Sequence, residues 1–183
     1  VAAYYLDEGF GSVANDSSGN ENHGIIHGAS WVDGVSKSAL SFDGVDDYVE
    51  VSDHTTLKPS NKLTLSAWVK LNEPLGSQDN WAGVFSKYVS GAEGSGYYLE
   101  MRGYDNRTVC AMRDASHTYH QVYAVGEPFD LGWHHIACTY NGSRQILYID
   151  GVEKASAEWS GNLSHNTLPL RLPKRPHRWN PDL

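Results

Sequence analysis

Residues 16–24, Asp16-Ser17-Ser18-Gly19-Asn20-Glu21-Asn22-His23-Gly24, gather carboxylate, hydroxyl, amide and backbone carbonyl oxygens into a glycine-bearing loop. A hard cation such as Ca²⁺ takes that ligand set. The Asp-x-Asp/Asn-x-Asp/Asn-Gly spacing of an EF-hand is missing, and the same side chains cap their own backbone in Asx turns, so both readings stay open. Asp43-Gly44-Val45-Asp46-Asp47 is a second acidic turn, which reads more simply as a solvated one. A third group is aromatic. Trp81 follows the polar run Gly76-Ser77-Gln78-Asp79-Asn80, and Tyr88, Tyr97, Arg102, Tyr104, Tyr119 and Tyr123 fall on the segments after it. Aromatic faces stack on sugar C–H groups and polar tips bond hydroxyls, and loops set on a rigid scaffold are where recognition usually sits.

Catalytic constellations are harder to find. A retaining glycosidase needs two carboxyls about 5 Å apart, yet Glu100 stands alone in Tyr98-Leu99-Glu100-Met101-Arg102. Lyase chemistry needs a Tyr or His base beside a charge-neutralising Arg or Gln, and Arg102, Tyr104 and His117 offer only a loose version. His134 and His135 are adjacent on one strand and point to opposite faces. His117 and His120 lack a third ligand for zinc.

The elements that position these residues are strands. Short segments of alternating polarity, each ended by Gly, Asn, Asp or Pro, recur along the chain. They cover Ala3–Leu6, Ala39–Phe42, Tyr48–Val51, Leu63–Leu71, Ala82–Tyr88, Gly96–Arg102, Thr108–Arg113, His120–Val125, His134–Tyr140, Gln145–Ile149 and Val152–Ala155. The clearest places Leu63, Leu65, Ala67, Val69 and Leu71 on one face and Thr64, Ser66, Trp68 and Lys70 on the other. Asn141-Gly142 is a strong hairpin signal, and His54–Leu57 reads as one helical turn. Trp68, Trp133, Tyr140 and Tyr148 lie in strands and are expected in the core. Regular strands without helical periodicity predict an all-β fold, two antiparallel sheets packed as a sandwich or jelly roll.

The chain has 183 residues, 40% of them hydrophobic, enough for a single core. Its net charge of −8 argues against a nucleic-acid partner. No apolar run reaches membrane-span length, and Val1–Asp7 is too short and too soon charged for a signal peptide, so a soluble chain released from a longer precursor is expected. Cys110 and Cys138 each sit in an apolar stretch, which favours buried free thiols, with one disulfide as the alternative.

Four phrases in order resemble the laminin-G-like (concanavalin A-like) family of extracellular proteins. They are Tyr5–Gly11 with Asn15–Gly24, Ala39–Val49, Leu65–Val69, and Gly132–Ala137 with Leu147–Val152. The resemblance implies a concanavalin A-like sandwich over residues 1–166. It implies a structural Ca²⁺ held by Asp16, Asn20 and the His23 carbonyl with Asp43 as a neighbour, and a concave sheet carrying Trp81, Tyr88, Tyr97, Arg102, Tyr104, Tyr119 and Tyr123. The expected function is a non-catalytic, extracellular ligand-binding module that takes a carbohydrate. The alternatives are a structural or adhesive module contacting an extracellular protein, and a polysaccharide-degrading enzyme. Residues 167–183 depart from the family: they carry +3, leaving −11 for the rest, and lack its closing acidic phrase. Their prolines argue against a central strand. The first strand is then left as an unpaired edge, through which a homo-oligomer would form.

Overall fold

The computed structural model describes residues 1–75, 81–126 and 130–173, and the backbone alone at Trp81. Fourteen strands follow one another: β1 Val13–Ala14, β2 Gly24–His27, β3 Ser30–Asp33, β4 Ser38–Ser41, β5 Tyr48–Val51, β6 Leu63–Lys70, β7 Trp81–Val89, β8 Ser95–Arg102, β9 Arg107–Arg113, β10 Tyr119–Val125, β11 Trp133–Tyr140, β12 Arg144–Ile149, β13 Val152–Glu158 and β14 Leu170–Leu172. A 3₁₀ turn spans Thr55–Leu57. An eight-stranded antiparallel sheet runs β1-β2-β5-β14-β7-β8-β9-β10, a four-stranded sheet runs β13-β12-β11-β6, and β3 pairs with β4. The all-β antiparallel sandwich expected from the strand pattern is the observed fold. Among the described residues no helix is long and apolar enough to cross a membrane.

The core lies between the two larger sheets. Leu99, Met101, Cys110 and Met112 from one face Leu65, Ile136, Cys138, Leu147 and Ile149 from the other. Each comes from an alternating strand whose apolar side turns inward, as period two requires. Cys110 of β9 and Cys138 of β11 are disulfide-bonded across the core, so the free-thiol expectation is corrected. Apolar flanks mark burial whether or not the two sulfurs meet, and the pairing of distant strands decides the bond. Beside it, the fully buried Gln145 donates to Cys110 O at 3.1 Å and accepts from Trp159 Nε1 at 2.9 Å. Trp159 stacks between His120 and Tyr140, both at 3.9 Å, and closes that edge of the sandwich. Tyr140 is core, but Trp68 is not: it is 55% exposed, on the outward side of β6 beside His135.

Two further expectations are corrected. Ala3–Leu6 forms no strand, because Ala3 gives its N–H to Asp16 Oδ1 and its carbonyl to Ser17 N, and Leu6 turns into the left-handed region at φ 52°. Leu170-Arg171-Leu172, between Pro169 and Pro173, is a central strand: it pairs with β5 over three residues and with β7 at Arg171↔Ser86. The prolines flank the ladder without entering it, which satisfies the rule that argued against a strand. The segment before it is tied down by Ser164 to Arg113 O, by Asn166 to Lys87 O and Ser95 O, and by the buried Lys87 to Leu168 O and Asp53. The sheet therefore runs on from β5 through β14 to β7, and its edges are β1 and β10.

Candidate functional site

On β8, Tyr97, Leu99 and Met101 point into the core, whereas Tyr98, Glu100 and Arg102 take the outer side. Cross-strand register extends that outer side to Tyr88 and Ser86 on β7, Arg107 and Arg113 on β9, and Tyr119, Gln121 and Tyr123 on β10. Tyr98 is opposite Ala111, which in turn is opposite Gln121. The small side chain leaves room above it for the Tyr98 and Tyr119 hydroxyls to meet in a hydrogen bond. Tyr88 lies opposite Gly96, whose φ of 95° and close approach to Lys87 O require glycine.

These residues form a connected cluster. The Tyr88 and Tyr98 rings meet edge to face at 4.9 Å. Arg102 donates to Glu100 at 2.6 Å and to the Tyr98 hydroxyl at 3.1 Å, and Tyr119 donates to Gln121 at 3.0 Å. Arg113 donates to the Tyr88 hydroxyl at 3.1 Å, and Arg107 lies 4.1 Å above the Tyr123 ring. Burial, then the neighbouring Tyr119 and Glu100, push the Tyr98 phenol above its ordinary value; burial does the same for Tyr119. Glu100 is raised by burial against the opposing pull of Arg102. Across β14 the same face continues with Arg171, paired with Glu50 and 4.9 Å over Tyr48, on which His27 stacks at 4.5 Å. A shallow depression lined by Ser86, Tyr88, Leu168, Pro169 and Arg171 joins the two halves.

Of the seven expected ligand residues, Tyr88, Arg102, Tyr119 and Tyr123 share this face. Tyr104 sits exposed in the turn between β8 and β9. Tyr97 is corrected: it is 4% exposed on the core side, donating to Leu57 O. Trp81 pairs with Arg102 through its backbone, and its side chain lies outside the described residues. Sequence reasoning missed Tyr98, Arg113 and Arg171. Parity was the available signal for Tyr98, since residues 98 and 102 share a face and residue 97 does not.

Of the four expected metal ligands, Asp16, Asn20 and His23 share one hydrogen-bonded loop and Asp43 lies in another turn. Asp16 is buried, and its Oδ1 accepts from Ala3 N and Ser18 N while Oδ2 accepts from Ser18 Oγ and Asn22 N, each at 2.9 Å. Burial alone would raise its pKa, but these bonds outweigh it and hold the carboxyl well below the usual range. Asn20 donates to Val1 O and Ser18 Oγ, and the His23 ring accepts from Asp16 N. Asp43 is grouped instead with Asp46 and Asp47, whose carboxylates lie within 4.8 Å of one another on a solvent-facing turn. With both Asp16 oxygens filled by the chain's own donors, this arrangement does not fit a calcium ligand. His134 and His135 diverge as expected: His134 sits between Asp150 (2.8 Å) and Asp130 (3.1 Å), and the Asp150 bond foremost raises its pKa, while His135 meets Ser66.

A family model described as the concanavalin A-like lectin/glucanases superfamily matches residues 43–182. No curated protein matches the sequence. Among solved structures, the binding domain of Paraclostridial Mosquitocidal Protein 1 is similar with a TM-score of 0.72 at 19% identity, over 90% of this chain and 42% of that one. Domain 4 of AbnA, an extracellular GH43 arabinanase from Geobacillus stearothermophilus in complex with arabinotriose, gives 0.68 at 22%, over 93% and 81%. The botulinum neurotoxin serotype D ligand binding domain, in complex with N-acetylneuraminic acid, gives 0.65 at 15%, over 87% and 40%. These likenesses show the fold, and the chain spans less than half the length of the Mosquitocidal Protein 1 and botulinum neurotoxin domains.

Proposed function

The chain belongs to the concanavalin A-like lectin/glucanases superfamily, and we propose that it is a non-catalytic extracellular module that binds a glycan on the outer face of its eight-stranded sheet. The observation that carries this reading is the convergence of Tyr88, Tyr98 and Tyr119 with Arg102 and Arg113 on one sheet face. Aromatic rings supply apolar area to sugar C–H faces, while phenol and guanidinium groups bond hydroxyls at fixed positions. Arabinotriose and N-acetylneuraminic acid in the complexes of two similar domains support a sugar as the ligand class.

Catalysis fits this face poorly. Glu100 is held by Arg102, Asp105 lies against Arg102 and Arg107, and Glu50 lies on β5 and is held by Arg171. Each of these carboxylates is engaged by an arginine, whereas glycosidic cleavage requires a carboxyl pair flanking a common space. A raised phenol keeps its proton at neutral pH and serves as a hydrogen-bond donor, a poor base. The structural Ca²⁺ is left out of the proposal because of the filled Asp16 oxygens.

A glycan array tests the reading. Tyr119→Ala should reduce the signal of every glycan bound by the parent about tenfold, with the melting curve nearly unchanged. Unaltered binding by this variant and by Tyr88→Ala would remove the site from this face, and release of reducing ends or unsaturated products from a bound glycan would make the chain an enzyme.

A further inference from the structure

The outer face carries four arginines, and three of them have a carboxylate partner. Arg102 pairs with Glu100, Arg107 with Asp105 at 3.5 Å, and Arg171 with Glu50 at 2.7 Å. Arg113 has no carboxylate partner among the described residues. Its Nε donates to the Tyr88 hydroxyl at 3.1 Å and its Nη1 to His117 O at 2.7 Å, so two neutral acceptors aim it while its charge stays uncompensated. The Tyr119 and Tyr88 rings flank it at 5.4 and 5.8 Å. The hairpin turn below it is cut away to make room: a Cβ at Gly94 would stand 2.8 Å from Arg113 Nε. In a chain of net charge −8, an oriented, half-buried and unpaired guanidinium on the proposed ligand face is the exception.

We propose that Arg113 receives the carboxylate of an acidic sugar, a hexuronate or sialate residue, whose ring packs against Tyr88, Tyr98 and Tyr119. This rests on the glycan-binding reading of the same face and adds the charge of the ligand to it. A guanidinium has five N–H donors in a planar fork matched to a carboxylate, and two of them are engaged here. A sugar ring seated on the flanking tyrosines would shield the pair from water, which strengthens a charge-assisted hydrogen bond relative to an open surface. The unbalanced charge sets specificity: a neutral sugar leaves it unmatched.

The test titrates the parent with oligogalacturonate, a glucuronan fragment and sialyllactose. Each is compared with its methyl-esterified form, which keeps the sugar and loses the charge, and a sulfated neutral oligosaccharide and unmodified arabinan and galactan fragments complete the panel. At least one acid should bind about tenfold to a hundredfold tighter than its ester, its affinity should fall as salt rises, and Arg113→Gln should bring acid and ester together. The ester comparison and the salt series need no variant, so a poorly folded Arg113→Gln leaves the inference testable. Equal affinity for acid and ester, or a preference for the neutral or sulfated sugars that Tyr119→Ala still abolishes, overturns the carboxylate inference and leaves the glycan face standing. Sugar binding indifferent to Tyr119→Ala and Tyr88→Ala, or no sugar bound at all, overturns both.

Discussion

The loop of residues 16–24 and the outer face of the eight-stranded sheet are both dense in polar side chains, and they use them in opposite ways. In the loop the buried carboxylate is filled from within the chain. Asp16 takes four donors, and Val1 O takes Asn20 Nδ2 at 3.1 Å and Asn22 Nδ2 at 3.0 Å. The loop thereby fastens the N-terminal segment, whose Ala2 and Tyr4 pack on the core. On the sheet face the bonds within the cluster orient rings and guanidinium groups and leave donors over. Residue types alone do not separate a structural knot from a binding surface; the count of lone pairs and protons still unmatched does.

The largest expected effect is on the loop. Asp16→Ala leaves the backbone N–H groups of Ser18, Asn22 and Ala3 without their acceptor, and should lower the unfolding free energy by about 3 kcal/mol or more in denaturant titration. A loss under about 1 kcal/mol would mean that the knot contributes little. Acid should act through the same residue. Because the folded-state pKa of Asp16 is depressed below the ordinary 3.8, its contribution is fully present above that value and is lost as pH falls below it. Asp16→Asn should flatten that part of the stability–pH profile. A smaller change is expected from Tyr119→Ala, which removes only a half-buried ring from a sheet surface: under about 1 kcal/mol of stability, against its large effect on binding. The smallest is expected from chelation. Removing Ca²⁺ should leave the melting temperature where it was, whereas a drop would show that a cation replaces chain donors at Asp16, since a ligand of the native state alone must stabilise it.

Much of the fold was legible because its strands alternate strictly. The strand expected at Leu63–Leu71 is observed at Leu63–Lys70, and the strands from Trp81 to Glu158 differ from expectation by one residue at most starts and by up to three at the ends. The strands missed are short. Gly24–His27 contains a glycine, and the pairing that explains it is invisible locally: a Cβ at Gly24 would lie 2.4 Å from Val49 Cγ1 on β5. Leu170–Leu172 is a strand only because β5 and β7 leave a place for it. Trp68 shows a conflict between two rules. Its parity with Thr64, Ser66 and Lys70 put it outside, residue type put it inside, and parity prevailed. The site followed the same logic: Tyr97 was chosen by type, and its neighbour Tyr98 faces the cluster by parity. Arg113 carried no local signal, since the absence of a partner is a property of the assembled face.

The central claim, that the ligand lies on the outer face of the eight-stranded sheet, is tested most directly by backbone amide shift mapping with the oligosaccharide that binds best on the array. The account predicts saturable shifts centred on Tyr98, Arg113 and Tyr119 and their strand partners, with the amides of residues 16–24 unmoved. Shifts centred on that loop, or around Trp68 and His135 on the four-stranded sheet, would contradict it.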